Sequence, residues 1–447
     1  MSIVGFQASK RCKVSATARY RDPARRAGLA GGLLVAMLSL PVAAQATTYY
    51  VNGQNGVDTN SGSAAAPFKS LSRATSVLGP GDSLIVTSGS YTEPLIIAKS
   101  GTAQSPITVI GKNRPLIESQ GDAIRVSGNY VEISGFEAHA LGEGSALSVG
   151  QRNHHVRITD NILRDSGCGG VALIRTDYVT IEHNTVFGNS RRSPWQCSGI
   201  SIFQAVNFDH AAGVHNIIRR NLVYNNMDAI VDQKISHSNG KTTDGNGIIV
   251  DDSRHTEGGF NEPAYDGLTL VENNIVFDNG GRGVTVFLSD HIIVRNNTCY
   301  HNLKDMNLAW RQAQGEFTAA NASDVRFVNN IAVPLDKTVF AISNFQTTRT
   351  TWDFNLVDGG ALPMPVESET SWGQHNIVEN GGVDFVAPSV DPKTADFHLR
   401  SGSRAEGAGS IDEAPDQDFS GALRPHSGPI DLGALQTSDT GAAAIRN

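Results

Sequence analysis

An asparagine recurs through this chain at the same place in a repeated phrase, and this limits the possible folds more than any other feature. The phrase runs Arg157-Ile158-Thr159-Asp160-Asn161-Ile162, then Thr180-Ile181-Glu182-His183-Asn184-Thr185. Further copies centre on Asn221, Asn274, Asn297, Asn330 and Asn355. The successive spacings are 23, 37, 53, 23, 33 and 25 residues, so the base period is near 23 and the longer gaps read as one coil plus a loop. A second asparagine follows five residues later at Asn189, Asn226, Asn279 and Asn302. Then comes a strand led by glycine: Gly170-Val171-Ala172-Leu173, Gly199-Ile200-Ser201-Ile202, Gly247-Ile248-Ile249-Val250 and Gly283-Val284-Thr285-Val286.

Three short strands and tight turns per period predict an all-β solenoid, a single-stranded right-handed parallel β-helix. Asparagine tolerates left-handed backbone and bonds readily to neighbouring main chain, so one per coil is expected to stack into a ladder. Propellers and sandwiches need hairpin turns between their strands, and the sequence shows none.

The ends differ from the repeat. Residues 1–46 hold seven Lys/Arg and one Asp, then an apolar run from Leu29 to Leu40 and Ala44-Gln45-Ala46. That is the order of parts in a secretory signal, and the run is too short to span a bilayer. The expected organisation is therefore a signal peptide at 1–46 and one β-helix domain at 47–447. Within the domain, an N-terminal cap is expected at about 47–82, coils at about 83–360 and a capping tail at about 361–447. Ser70 to Leu78 reads as a short amphipathic capping helix with Ser70 as N-cap, stopped by Gly79-Pro80-Gly81, and Leu84-Ile85-Val86 reads as the first strand. A secreted or periplasmic monomer with no membrane span in the mature chain is expected. Without residues 1–46 the chain carries 29 Lys/Arg against 43 Asp/Glu, a net charge of −14. Such acidity argues against nucleic acid as a partner. An acidic polysaccharide would need bridging cations or local basic side chains.

Tyr49-Tyr50-Val51, Gly56-Val57-Asp58, Ser61-Gly62-Ser63, Pro67-Phe68, Pro80-Gly81-Asp82 and Gly89-Ser90-Tyr91 resemble the opening of secreted bacterial right-handed β-helix proteins. The family 9 polysaccharide lyases are among these. Asp396-Phe397-His398, Asp418-Phe419-Ser420-Gly421 and Ile430-Asp431-Leu432-Gly433-Ala434 are similar to the ends of such chains. The resemblance implies acidic calcium ligands and a lysine base on one sheet face. This sequence departs from that pattern, because the middle outward positions of the Gly-led strands are Ala172, Ser201, Ile249 and Thr285.

Alternation places Ile200/Ile202, Ile248/Val250 and Val284/Val286 inward. Ser198, Ser201 and Phe203, then Asn246, Ile249 and Asp251, then Arg282, Thr285 and Phe287, share the outward face. The two largest insertions, about 227–246 and 253–267, flank the strand at 247–251 and concentrate charge there, which marks the candidate site. Asp228, Asp244, Asp251 and Asp252 are candidate ligands for Ca²⁺, which takes several hard oxygens. The competing reading is that Asp244-Gly245-Asn246-Gly247 is a turn and Asp251-Asp252 caps the next loop. Lys234, Lys241 and Arg282 are candidate bases for removing the proton α to a uronate carboxylate. Asn246, Arg254, His255, Trp195, Phe203 and Phe287 are candidate substrate contacts, with Trp310 a further aromatic able to stack on sugar.

These residues lead to a calcium-assisted lyase on pectate or alginate. A glycoside hydrolase and a non-catalytic glycan-binding protein remain as alternatives. The Asp251-Asp252 pair alone makes a poor acid–base couple, since adjacent strand residues face opposite sides. Cys168 and Cys197 each precede the coil glycine by two residues and lie close enough to bridge, whereas Cys299 falls on the core side of its strand.

Overall fold

In a computed structural model, described for residues 45–87, 89–231, 239–359 and 369–437, nearly every strand belongs to one of three parallel sheets of 12, 9 and 11 strands. Each coil contributes one short strand to each sheet in a fixed order. Val171–Ile174 lies in the 9-stranded sheet, Asp177–Glu182 in the 12-stranded sheet and Thr185–Phe187 in the 11-stranded sheet, and the next coil begins at Ile200–Phe203. These are called the second, first and third sheets below. The molecule is a parallel β-helix, as the period predicts. Residues 1–44 and 232–238, with the expected signal and Lys234, Asp232 and His237, lie outside the described residues.

The interior is built of columns. Ile124, Leu147, Val171, Ile200, Ile248, Val284 and Phe317 are in register through successive coils of the second sheet, and all are buried. At about 25 cal/mol per Å² of apolar surface, such columns supply the main driving force for stacking.

Two asparagine ladders hold the turns. Asn184 donates from N to Asn221 Oδ1 at 3.0 Å and from Nδ2 to the same oxygen at 3.1 Å. Asn221 repeats this on Asn274, Asn274 on Asn297, Asn297 on Asn330 and Asn330 on Asn355. The inner ladder runs through Asn189, Asn226, Asn279 and Asn302 and ends on the carboxylate of Glu316. The left-handed conformation falls on the residue before each outer-ladder asparagine rather than on the asparagine. Asp160, His183, Arg220, Asn273, Asn296, Asn329 and Phe354 all have φ between 51° and 60°. A left-handed residue turns the chain and leaves the following amide in place to bond its counterpart in the next coil.

The inner ladder also explains the glycines that lead the second-sheet strands. A Cβ on Gly199 would lie 2.7 Å from Asn226 Nδ2, and one on Gly247 would lie 2.2 Å from Val276 Cγ1. Glycine is required there by close approach, not by backbone angle.

Three boundaries differ from expectation. The first strand is Thr48–Val51, which pairs in parallel with Ser83–Val86; Tyr49 and Val51, two residues apart, both face the core. The helix runs Leu71–Ser76, with Ser70 Oγ accepting from Arg73 N at 3.2 Å. Coiling continues past 360, because Asn376 accepts from Asn355 and the strands Thr370–Trp372 and Ile377–Glu379 join the first and third sheets. The rest of the tail lies along the outer side of the third sheet. There Phe385, Phe397, Phe419 and Leu432 cover Leu222, Tyr224, Ile275, Phe277 and Ile331. Cys168 and Cys197 form a disulfide with Cα atoms 5.2 Å apart, and Cys299 is a buried free thiol.

Candidate active site

The second sheet presents its outward side chains in cross-coil columns. Ala172, Ser201, Ile249, Thr285 and Thr318 form the middle column, and Ile174, Phe203, Asp251, Phe287 and Ala320 form the column at the strand ends. Asp251 therefore stands between two phenylalanines, one coil step of about 4.8 Å on either side. Its Oδ1 is buried without a hydrogen-bond partner among the described residues. Burial pushes the Asp251 carboxyl well above the usual carboxylate range. The nearby carboxyls of Asp244, Glu257 and Asp252 add to the shift, and Arg282 opposes it.

The other end of the strand carries the balancing charge. Asp244 is buried, with Oδ1 accepting from Asn246 Nδ2 at 2.8 Å and Oδ2 accepting from Thr243 Oγ1 at 3.0 Å. Burial raises its pKa, while Arg282 and these two donors pull the other way. Arg282 donates to Thr243 O at 2.8 Å, to Asn246 Oδ1 at 3.3 Å and to Gln314 Oε1 at 3.0 Å. Its own pKa is lowered by burial, against the attraction of Asp244 and Asp251. Asp244, Arg282 and Asp251 are thus coupled carboxyl, guanidinium and carboxyl groups over a floor of Ile249 and Thr285.

The structure brings Asp244, Asp251, Arg282, Phe203 and Phe287 to one place and assigns other duties to the remaining candidates. Asn246 is fully buried, and its amide links Ser198, Asp244 and Arg282, so it supports the site and does not touch a substrate. Asp252 is also fully buried, and its oxygens accept from Gln204, Thr256 and Glu257; it caps the loop and has no lone pair directed outward. Arg254 is committed to a two-nitrogen pairing with Asp290, with contacts of 2.6 and 2.8 Å. His255 is buried, with Nε2 2.7 Å from Ala205 O and Nδ1 3.2 Å from Glu262 O. Both are structural in this arrangement and are withdrawn as substrate contacts. Asp228 is buried, with its main chain against Gly245. Lys241 and Trp195 are exposed on the loops that precede the strands.

Among the described residues no three His, Cys, Asp or Glu side chains are grouped to hold a metal ion. Of the four expected aspartates, Asp252 has its oxygens filled by Gln204, Thr256 and Glu257.

Glu257 is the site residue that pattern reading missed. It is exposed, and its pKa is raised by partial burial and by Asp252 and Asp244. It is followed by Gly258 and Gly259, both at positive φ, and this glycine pair was the available signal. A hollow of about 500 Å³ lies elsewhere, between the first sheet and the tail. The arginines lining it, Arg219, Arg220 and Arg295, are already matched by Glu182 and Glu272.

The profile of the Pel9A-like right-handed β-helix region matches residues 49–321. The chain belongs to this family. Its helix is therefore right-handed. Pectate lyase L of Thermoclostridium stercorarium is 25% identical over 281 residues, 55% of this chain and 22% of that protein. Lacto-N-biosidase of Bifidobacterium longum subsp. longum is 35% identical over 133 residues, 24% of this chain and 8% of that one. The chain thus spans about a fifth of the first relative's length and less of the second. The crystal structure of pectate lyase Pel9A superposes with a TM-score of 0.50 at 18% identity, covering 88% of this chain and 96% of the other. That degree of similarity shows the fold. No helix among the described residues is long and apolar enough to cross a membrane.

Proposed function

We propose that this protein cleaves glycosidic bonds in a polysaccharide by carboxyl acid–base chemistry, as a glycoside hydrolase. The observation that carries this reading is Asp251, a carboxyl between Phe203 and Phe287 with an unpartnered oxygen, coupled through Arg282 to a second buried carboxyl, Asp244. Environments that separate two neighbouring carboxyls assign the acid and the base. Asp251, held high by burial and by like charges, keeps its proton. The Asp244 pKa is also raised by burial, but Arg282 and two hydrogen-bond donors oppose that shift, so Asp244 is the carboxyl assigned to the charged role. In the reaction Asp251 passes its proton to the glycosidic oxygen as the anomeric C–O bond breaks. Asp244 supports the electron-deficient carbon, either by attack or by taking a proton from water. Water supplies the hydroxyl of the new reducing end, so one bond is hydrolysed and both carboxyls are restored.

The relatives support a glycan substrate, since one is named a pectate lyase and another a lacto-N-biosidase. The residues near the N-terminus of the chain support export.

A lyase is the second reading, favoured by one observation. Arg282, with its pKa lowered by burial and its position between two carboxyls, is the basic group best placed over this face. It would take the proton α to a uronate carboxylate while the 4-linked oxygen leaves.

The test is a screen of polygalacturonate, alginate, xylan and galactan with two readouts. New reducing ends without the ultraviolet absorbance of an unsaturated uronide are expected. Reducing ends with that absorbance would transfer the assignment to the lyase, and neither signal on any of the four would refute both.

A further inference from the structure

A second hollow, of about 190 Å³, lies at the turn between the second and first sheets. It is lined by Arg152, Asn153, His154 and Asp177 from the coils and by Val206, Asn207 and Phe208 from the loop after Ile200–Phe203. We propose that this hollow is a subsite that binds one pyranose unit of a glycan chain, recognised through its hydroxyl groups. This rests on the reading of the chain as a glycan-cleaving enzyme.

Four observations converge. The first is size, since the volume suits a single hexose. The second is the division of the lining. The Phe208 ring offers an apolar surface to the C–H face of a sugar and Arg152 offers a planar polar group to its hydroxyls, while Asn153, donating to Ser127 O and Asn129 Oδ1, and His154, with Nδ1 2.8 Å from His155 Nδ1, form the wall. Phe208 is 49% exposed, although its ring packs on His154 with centroids 3.8 Å apart.

The third is rigidity. Phe208 N donates to Asp177 Oδ2 at 2.8 Å, and Asp177 Oδ1 accepts from Tyr265 Oη at 2.7 Å. Behind the wall, rings stack from Tyr130 to His155 to Tyr178 to His215, with centroids 4.6, 4.5 and 4.0 Å apart. A pocket held this firmly needs little reorganisation on binding. The fourth is location. The hollow spans the coils of Leu147–Val149, Val171–Ile174 and Ile200–Phe203, one to three register steps before Ile248–Asp251. At about 4.8 Å per step this is about 5–14 Å, on the order of one to three sugar units along the helix axis from Asp251.

Recognition through hydroxyls rather than a carboxylate follows from charge. Arg152 is already paired with Glu262, and Asp177 is buried with its oxygens bonded to Phe208 N, Tyr265 Oη and His215, so little net charge faces the hollow.

The experiment uses the full chain carrying Asp251→Asn, so that bound glycan is not consumed, and titrates dimers and hexamers of β-1,4-xylose, β-1,4-galactose and galacturonate calorimetrically. A neutral hexamer is expected to bind more tightly than its dimer. Phe208→Ala and Arg152→Ala are each expected to weaken the hexamer about tenfold and so lower the hexamer-to-dimer affinity ratio. Circular dichroism of each variant verifies that the coil is intact. An unchanged ratio in both variants overturns the proposal, as does absence of binding by every probe. Dependence on Phe208 for galacturonate alone overturns recognition through hydroxyls. Turnover of the same hexamers by the unsubstituted chain separates the two readings. Phe208-dependent binding without cleavage leaves the subsite standing and removes the hydrolase, whereas cleavage with an unchanged ratio does the reverse.

Discussion

Asp251→Asn changes one oxygen to an amide nitrogen and leaves the side-chain volume between Phe203 and Phe287 intact, so it isolates the proton. A general acid contributes about 10²- to 10⁴-fold, which corresponds to about 3–5 kcal/mol of barrier. kcat/KM on the best polysaccharide found in the screen is expected to fall by that factor. The loss should be smaller on a nitrophenyl glycoside, whose leaving group departs without protonation. Stability should move the opposite way. The folded carboxyl titrates well above its unfolded value of 3.8, so between those two pKa values the folded state binds more protons than the unfolded state. Stability of the parent protein therefore declines as pH rises through that window, and a non-titrating amide does not share the decline. Urea unfolding at pH 5 and pH 8 should show the variant gaining on the parent as pH rises. Activity within about threefold of the parent would remove Asp251 as the acid. A variant that instead loses stability relative to the parent between the two pH values would refute the account of its burial.

Three further outcomes test the scaffold. Asn221→Ala removes the acceptor of Asn184 N and the donor to Ile181 O, while Asn274 Oδ1 keeps the main-chain N–H of residue 221, and at about 1–3 kcal/mol for each of the two buried groups it should lower the urea unfolding free energy by about 2–6 kcal/mol. Cys168→Ser with Cys197→Ser opens a cross-link with a sequence separation of 29, which by loop-closure entropy should cost about 3–4 kcal/mol, read as a lowered urea midpoint. Glu316 is fully buried at the end of the inner ladder, and burial pushes its pKa up from 4.5 to about 8. The folded state then holds the extra proton between those values, so this group's contribution to stability should be full below pH 4.5 and be lost as pH rises to 8, by up to about 5 kcal/mol. Glu316→Gln should flatten that part of the profile of unfolding free energy against pH, and an unchanged slope would show that Glu316 is not its source.

Much of this molecule could be read from local order alone. The ladder repeats at a fixed offset from each turn, so the coil period, the inward columns and the outward triplets around Ser201, Ile249 and Thr285 follow from spacing. The closeness of Cys168 and Cys197 follows for the same reason, because they hold the same place in adjacent coils, and the structure adds the bond between them. Where the periodic signal is faint, as at Thr48–Val51 and Asn376, spacing does not carry the limits of the coil.

The chemistry of individual side chains was not legible in this way. Asp244, Asp251 and Asp252 look alike in sequence, yet the fold exhausts the oxygens of Asp252 on Gln204, Thr256 and Glu257 and ties Asp244 to Asn246 and Arg282. Asp251 alone of the three is left facing two phenyl rings from neighbouring coils with an oxygen unpartnered. A carboxyl's proton affinity depends on what covers it and which charges stand within a few ångströms. Here those neighbours come from other coils and from loops of unequal length, which carry no period. The sequence by itself determined the coil and the face on which chemistry could occur. Only stacking brings Phe203 and Phe287 alongside Asp251 and Arg282 near it, and burial in that setting raises the Asp251 pKa.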